Sequence, residues 1–475
     1  MRRNMVVLLW LLPLLGGCVL HQPQPVAAPS LPDSYGAGSL AEGTLKVPER
    51  WWTQFDDPQL DRLLEQAFAG NLELRQALAR LEQLQAVRRQ TAAAQQPYVN
   101  LEASGGRVRQ AVAGAARTSN SYRLAVAAGF ELDLWRKLEA RTAAAGYDML
   151  ASQRDLETLY LSLSAQLADF YYLAVEQRAQ LELTDHTVAA FADSLARVED
   201  RYRSGLVPAV DVYQARQNLA AAKSRRPQYE RTLAQTEHAL SLLLGRYPDR
   251  SLAGDGADIP RVKLPLAVGL PAQLLLLRPD IDAALARLKA SDQRIGAAVA
   301  ERFPSFTLTG SYGGASTELD SLLQSPNIFW NLLLNVTQPL LDGSRRQAEV
   351  DRSQAVFREQ LAAYQQTLLR AFQEVEDALV QEQTSVGRIA LLEERVAAAG
   401  AARRLALDRY LQGITDYLPV LLAQTSEFEA ESQLLAARRQ LVSDRIALSR
   451  ALGGRWMEES LKARLANPPE QGSKR

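Results

Sequence analysis

Few side chains in this sequence are capable of covalent or metal chemistry, and their spacing decides what they can do. Cys18 is the one thiol among 475 residues, so no disulfide can close within the chain and no thiolate cluster can hold a metal. The three histidines, His21, His186 and His238, are scattered and give no metal-ligand spacing. Neither a G-x-S-x-G nucleophile turn nor an H-E-x-x-H zinc motif occurs, which argues against a hydrolase. Lys and Arg total 54 against 54 Asp and Glu, so no basic excess exists to neutralise phosphates, and no nucleic-acid partner is expected. The sequence predicts no enzyme, no bound metal and no cofactor beyond what Cys18 can carry.

The position of Cys18 gives its thiol another chemistry. Arg2 and Arg3 precede an apolar run, Met5 to Leu15, of 11 residues, too short to cross a bilayer of about 30 Å as a helix. Residues 1–17 therefore read as a secretory signal, leaving 52 bases against 54 acids after its removal. Leu15-Gly16-Gly17-Cys18 resembles a bacterial lipobox, which implies S-diacylglycerol and N-palmitoyl groups on Cys18 as the new N-terminus. Val19, where an inner-membrane retention signal places Asp, implies outer-membrane sorting. The alternative is an ordinary signal peptide with an incidental cysteine. Residues 18–50, with Pro23, Pro25, Pro29, Pro32 and Pro48, read as an extended tether.

The rest of the chain is one unit written twice. Ala77-Leu78-Ala79-Arg80-Leu81 recurs as Ala284-Leu285-Ala286-Arg287-Leu288, an offset of 207 that also pairs Pro97 with Pro304 and Ser104 with Ser311. Further on the offset is 208, pairing Asp169 with Asp377, Arg201-Tyr202 with Arg409-Tyr410, Gly205 with Gly413 and Leu244-Gly245 with Leu452-Gly453. A period this long is a duplication and not a solenoid. We place repeat 1 at 51–245, a Pro/Gly/Asp-rich connector at 246–273, repeat 2 at 274–453 and a tail at 454–475.

Each repeat changes periodicity in a fixed order. Apolar residues at helical spacing predict a helix over 57–95, stopped by Pro97. Alternation over 98–104 and 121–132, around a Gly-rich turn, predicts two strands. An unbroken run over 137–203 predicts a helix of about 100 Å at 1.5 Å per residue, and after Gly205 and Pro208 a helix over 208–245 follows. The second copy gives helices over 275–303, 344–411 and 417–452 and strands over 305–312 and 328–338. Helices alone would suit a coiled-coil rod. Four short strands suit a membrane barrel better: Phe306, Leu308 and Tyr312 alternate with Thr307, Thr309 and Ser311, and Trp330, Leu332, Leu334 and Val336 with Asn331, Asn335 and Thr337. Four strands cannot close in lipid, where an open edge strands its backbone groups, so a barrel needs two or three chains. Soluble hairpins are the alternative.

This duplicated pattern, with Leu277-Arg278-Pro279-Asp280-Ile281 and Phe303-Pro304-Ser305-Phe306, resembles the TolC-type outer-membrane factors, in the lipoprotein branch that includes OprM and NodT. The resemblance implies a mainly helical fold with membrane β structure: a homotrimer whose strands form a twelve-stranded outer-membrane barrel above a periplasmic α-barrel. It implies a passive, gated efflux channel for small molecules, working with a periplasmic adaptor and an inner-membrane pump of the resistance–nodulation–division class. The motif Arg278, Pro279 and Asp280 belongs to that resemblance.

The family gates at the tips of the two long hairpins. By motif alignment Asp211 matches the acid of the outer hairpin and Tyr410 its tyrosine partner on the inner one, with Tyr202 and Asp416 as further candidates. This chain has Thr415 where many relatives place an acid, and Pro419 and Leu422 where some carry pore-ring acids. Asp211 and Asp416 have an alternative role as helix N-caps. A lipidated periplasmic adaptor is the other functional reading, but adaptors usually carry one hairpin and no membrane-type strands. The cargo is not written in the sequence; two of the four methionines lie in the signal, which leaves no methionine relay for copper or silver.

Overall fold

The computed structural model describes residues 21, 22, 24, 50–112, 115–249, 258–262, 278–454 and 457. The signal, Cys18, and most of the tether, connector and tail lie outside the described residues. Seven long helices and four strands follow in order: α1 Pro58–Gly70, α2 Leu72–Ala93, β1 Tyr98–Val112, β2 Ala115–Leu132, α3 Lys137–Arg203, α4 Ala209–Leu243, α5 Pro279–Ala300, β3 Ser305–Ser316, β4 Ile328–Thr337, α6 Arg345–Leu411 and α7 Tyr417–Leu452. Among the described residues no helix is long and apolar enough to cross a membrane.

Besides β3, which runs on to Ser316 where 312 is expected, and α5, which ends at Ala300 and not at 303, two expectations need correction. The helix foreseen over 57–95 is two helices, because Asn71 adopts an extended conformation (φ −61°, ψ 130°) and serves both ends. Its N–H donates to the Ala67 carbonyl at 2.8 Å, while its Oδ1 accepts from the Leu74 N–H at 3.0 Å. Asp57 starts α1 by accepting from the N–H groups of Gln59 and Leu60 at 2.9 and 3.2 Å, with Pro58 at the first position, where it loses no helical bond. The second correction concerns the first hairpin. Residues 105–120 are not a Gly-rich turn: Gly105 pairs with Tyr122, Gly106 with Ser121 and so on to Val112 with Ala115. Glycine weakens a strand without forbidding it, and the ladder carries the pair through.

The described residues divide into two compact units. One, drawing on Ala79–Arg154 and Asp282–Gln366, holds the sheet. Its order is β1-β2-β3-β4, all antiparallel. The register aligns Leu101 with Val126, Val126 with Tyr312, and Tyr312 with Trp330, and likewise Phe130 with Leu308 and Leu308 with Leu334. Since side chains alternate, these residues share one apolar face, on which Leu101, Trp330, Leu332 and Leu334 are 60–75% exposed. The other face carries Asn100, Ala127, Ser311 and Asn331 in one cross-strand row, and there Asn335 donates to the Thr309 hydroxyl at 3.2 Å. Where β2 gives way to α3, both carboxylate oxygens of Asp133 cap the helix, accepting from the N–H groups of Leu138 and Glu139 at 3.0 and 2.8 Å.

The second unit, drawing on Asp155–Ile281 and Thr367–Arg475, holds the larger part of the paired long helices. Trp51, Tyr160, Tyr171 and Tyr172 are fully buried there, and the Trp51 indole N–H donates to the Ser164 hydroxyl at 3.0 Å. Buried charge is paired in two forks. Arg445, 2% exposed, donates through Nε and Nη2 to Glu382 at 3.0 and 2.6 Å. Arg278 donates through Nε and Nη2 to Asp280 at 3.0 and 2.7 Å, and through Nη1 to Glu374 at 2.7 Å and the Ala451 carbonyl at 3.1 Å. The Arg-Pro-Asp motif thus starts α5 with Pro279 and ties that start to the end of α7.

Candidate functional site

Both long helices end in the same turn. In the first, Gly205 takes φ +71°, its N–H donates to the Tyr202 carbonyl at 2.9 Å, and the Leu206 N–H reaches the Arg201 carbonyl at 2.9 Å. In the second, Gly413 takes φ +74°, with Gly413 N–H to Tyr410 carbonyl at 3.0 Å and Ile414 N–H to Arg409 carbonyl at 2.9 Å. This double bond around a left-handed residue is the Schellman stop, and only glycine takes that conformation without strain. The glycines noted in the sequence are thereby explained.

The two turns share one core. Val198, Val212, Ala215, Tyr410, Tyr417 and Val420 are buried together, with the rings of Tyr410 and Tyr417 at 5.4 Å. The Arg201 guanidinium lies over the Tyr410 ring at 4.9 Å and donates to the Leu411 carbonyl at 3.2 Å, closing the end of α6 from the other hairpin. Tyr417 belongs to no motif; its sign in the sequence is an aromatic at the first helical position after Asp416. Burial pushes its phenol up to about 12.

The candidate residues divide as follows. Asp211 is the third residue of α4 and is buried, 8% exposed. Asp416 occupies the N-cap position of α7 but makes no capping hydrogen bond, and its side chain is exposed. Neither acid therefore acts as a cap within the chain, the alternative weighed for both. The structure brings the two together: burial raises the Asp211 carboxyl above its ordinary value, and the charge of Asp416 raises it further. Tyr410 is 2% exposed, and its hydroxyl makes no hydrogen bond in the chain, so it does not bond Asp211 of its own hairpin pair. Burial raises its phenol, the Arg201 charge opposes the rise and the Asp211 charge adds to it. Tyr202 is 48% exposed and takes no part in this core.

Duplicated 67-residue helices that turn through glycine, in one chain with an amphipathic four-stranded sheet, define a channel protein that meets lipid through strands. The family model described as "Outer membrane efflux protein" matches residues 63–246 and 270–454. The chain is 32% identical over 457 residues, 93% of its length and 96% of the relative's, to the toluene efflux pump outer membrane protein TtgI of Pseudomonas putida. It is 31% identical over 413 residues, 86% of its length and 88% of the relative's, to the cation efflux system protein CusC of Escherichia coli. A crystal structure of a membrane protein from Pseudomonas aeruginosa is similar with a TM-score of 0.86 at 30% identity, covering 92% of this chain and all of the other. The chain belongs to the outer membrane efflux protein family and is an outer-membrane efflux channel.

Proposed function

We propose that three copies of this chain close into one tunnel, joining a twelve-stranded barrel to a helical conduit, and that it carries small molecules outward without altering them. The observation that carries this reading is the sheet. Within the chain, β2 of the first repeat pairs with β3 of the second along Tyr122–Leu132 and Phe306–Ser316, which among the described residues leaves β1 and β4 as open edges. By the duplication β3 is the counterpart of β1 and β4 of β2. Pairing β4 of one chain with β1 of the next therefore repeats a seam the chain already makes, and it satisfies every edge that lipid would otherwise penalise by several kcal/mol per group.

A periplasmic adaptor and an inner-membrane pump of the resistance–nodulation–division class supply the cargo and the energy. The channel is held shut at the hairpin tips, where the resemblance makes Asp211 the acid of the outer hairpin and Tyr410 its tyrosine partner on the inner one. Asp416 contributes a carboxylate to the pore there, and Tyr202 flanks it. Lipid on Cys18 anchors the tether to the membrane the barrel spans. For cargo we favour small organic molecules, as the name of TtgI states for that protein; the four methionines of the chain supply no relay of thioethers for soft cations. Purified protein run unheated on a denaturing gel should migrate as a trimer that collapses to a single chain on boiling. Migration as one chain without heating overturns the assembly.

A further inference from the structure

The two tip turns are copies of one another at an offset of 208, yet only one of their possible Arg-Tyr pairs is completed within the chain. Arg201, in the first copy, reaches across to the second: it covers the Tyr410 ring at 4.9 Å and donates to the carbonyl of Leu411 at 3.2 Å. The reverse pairing uses Arg409, Tyr202 and the carbonyl of Arg203, which ends α3 as Leu411 ends α6. Those groups are all present and uncommitted among the described residues. Arg409 is exposed and forms no hydrogen bond or ion pair through its side chain, Tyr202 is 48% exposed, and no side chain reaches the Arg203 carbonyl. The asymmetry matches that of the sheet, where the seam from first copy to second is made and its counterpart is left open.

We infer that Arg409 completes the second clasp across the subunit boundary, covering the ring of Tyr202 of the partner subunit and donating to the carbonyl of Arg203 of the partner subunit. This rests on the trimeric reading. In a closed ring the copies alternate, so a contact from first copy to second inside each chain has a counterpart from second copy to first between chains. The chemistry required at each end is retained: a planar guanidinium that can lie on an aromatic face while donating at its edge, which an ammonium cannot do with the same geometry. The clasp is separate from the Tyr410–Asp211 gate, since it uses neither residue. It sets the register between neighbouring subunits at the tip, as Arg201 sets the register between hairpins inside one subunit.

The test uses the full-length protein purified as its assembly. Arg409→Cys is combined with Tyr202→Cys and treated with a short bis-maleimide. The pair Arg201→Cys with Tyr410→Cys, which should cross-link inside one chain, calibrates the reagent, and each single substitution serves as the control for Cys18. Boiled samples should show covalent dimers and trimers for the 409/202 pair only. A trimer on the unheated gel with no covalent ladder after boiling overturns the clasp while leaving the assembly standing. A single chain on the unheated gel overturns the assembly and the clasp with it. Should the double substitution fail to assemble, p-benzoylphenylalanine in place of Tyr202 keeps the ring. Illumination should then give an inter-chain adduct mapping to the segment that carries Arg409, and an adduct confined to its own chain overturns the inference.

Discussion

Asn71 and Arg278, 207 residues apart, perform the same act in the two copies. Asn71 Nδ2 donates to the carbonyl of Leu243 at 2.9 Å, Arg278 Nη1 to that of Ala451 at 3.1 Å, and each carbonyl lies two residues before the glycine that ends its helix, Gly245 and Gly453. One repeat makes the tie with an amide and the other with a guanidinium, so the geometry outlived the side chain that forms it. Asn71→Ala should cost about 1–2 kcal/mol through the lost cap and tie. Arg278→Ala should cost about 2–3 kcal/mol, less than a fully enclosed pair, because Asp280 and Glu374 remain partly in water. Denaturant unfolding in detergent measures both, and equal losses at the two positions would contradict the ranking.

Opening of the gate is expected to follow loss of either partner. Asp211→Ala and Tyr410→Phe should each raise single-channel conductance in planar bilayers, since a phenol-to-carboxylate bond shielded from water contributes about 1.5–3 kcal/mol. Because the Tyr410 hydroxyl has no partner within the chain, Tyr410→Phe should leave the stability of the single chain unchanged. Unaltered conductance in both variants would remove them from the gate.

The tip also titrates. The Asp211 carboxyl lies above its ordinary value of 3.8 because of burial and the neighbouring Asp416. A carboxyl raised in the folded state stabilises most when protonated, so its contribution is complete below the ordinary value and is lost as pH rises through the raised one. Asp416→Asn should lower the Asp211 midpoint and shrink that loss, and Asp211→Asn should remove its share of the pH dependence of stability, leaving the part owed to the other carboxyls raised by burial, Asp148, Glu176 and Glu431. A profile of unfolding midpoint against pH, taken for the three proteins, decides; an unchanged slope in Asp211→Asn would exclude the assignment.

Leu334 and Asn335 are neighbours on β4 that face opposite ways. Leu334→Lys should cost about 2–4 kcal/mol if the residue meets lipid near the bilayer middle, and reduce the heat-sensitive trimer recovered from outer membranes. Asn335→Lys, which loses one hydrogen bond to Thr309, should assemble and shift the channel toward anion selectivity. The reverse ranking would turn the sheet inside out.

Cys18→Ala should abolish incorporation of radiolabelled palmitate. Retained label would mean that the lipid sits elsewhere or that the signal is processed as an ordinary one.

Much of this fold could be read from period and punctuation, and the exceptions have local causes. The bounds of α3 and α7 coincide with unbroken helical runs that glycine ends, and α6 begins one residue inside its expected start. Gly70-Asn71, a stop followed by a cap, is the local sign of the break, but apolar residues at helical spacing continue on both sides of it. Gly105-Gly106 reads as a turn because glycine marks turns more often than strands, and only the register with Tyr122 and Ser121 identifies them as ladder. At the tips, the family resemblance points to Tyr410 and Asp211 but not to the Arg201 stacking, because that contact joins residues 209 apart in sequence and leaves no periodic trace. The same holds for the fork from Arg445 to Glu382.

The open edges of β1 and β4 bear on how the protein is made. Among the described residues the sheet presents two rows of unpaired backbone groups beside an apolar face, which is a template for indiscriminate strand addition. On the trimeric reading proposed above, the last step of folding is an encounter with other chains, dependent on concentration. Until it happens the newly exported chain stands in competition between assembly, aggregation and proteolysis. On that same reading, the lifetime of the unassembled chain enters directly into how many channels a cell obtains from a given rate of synthesis.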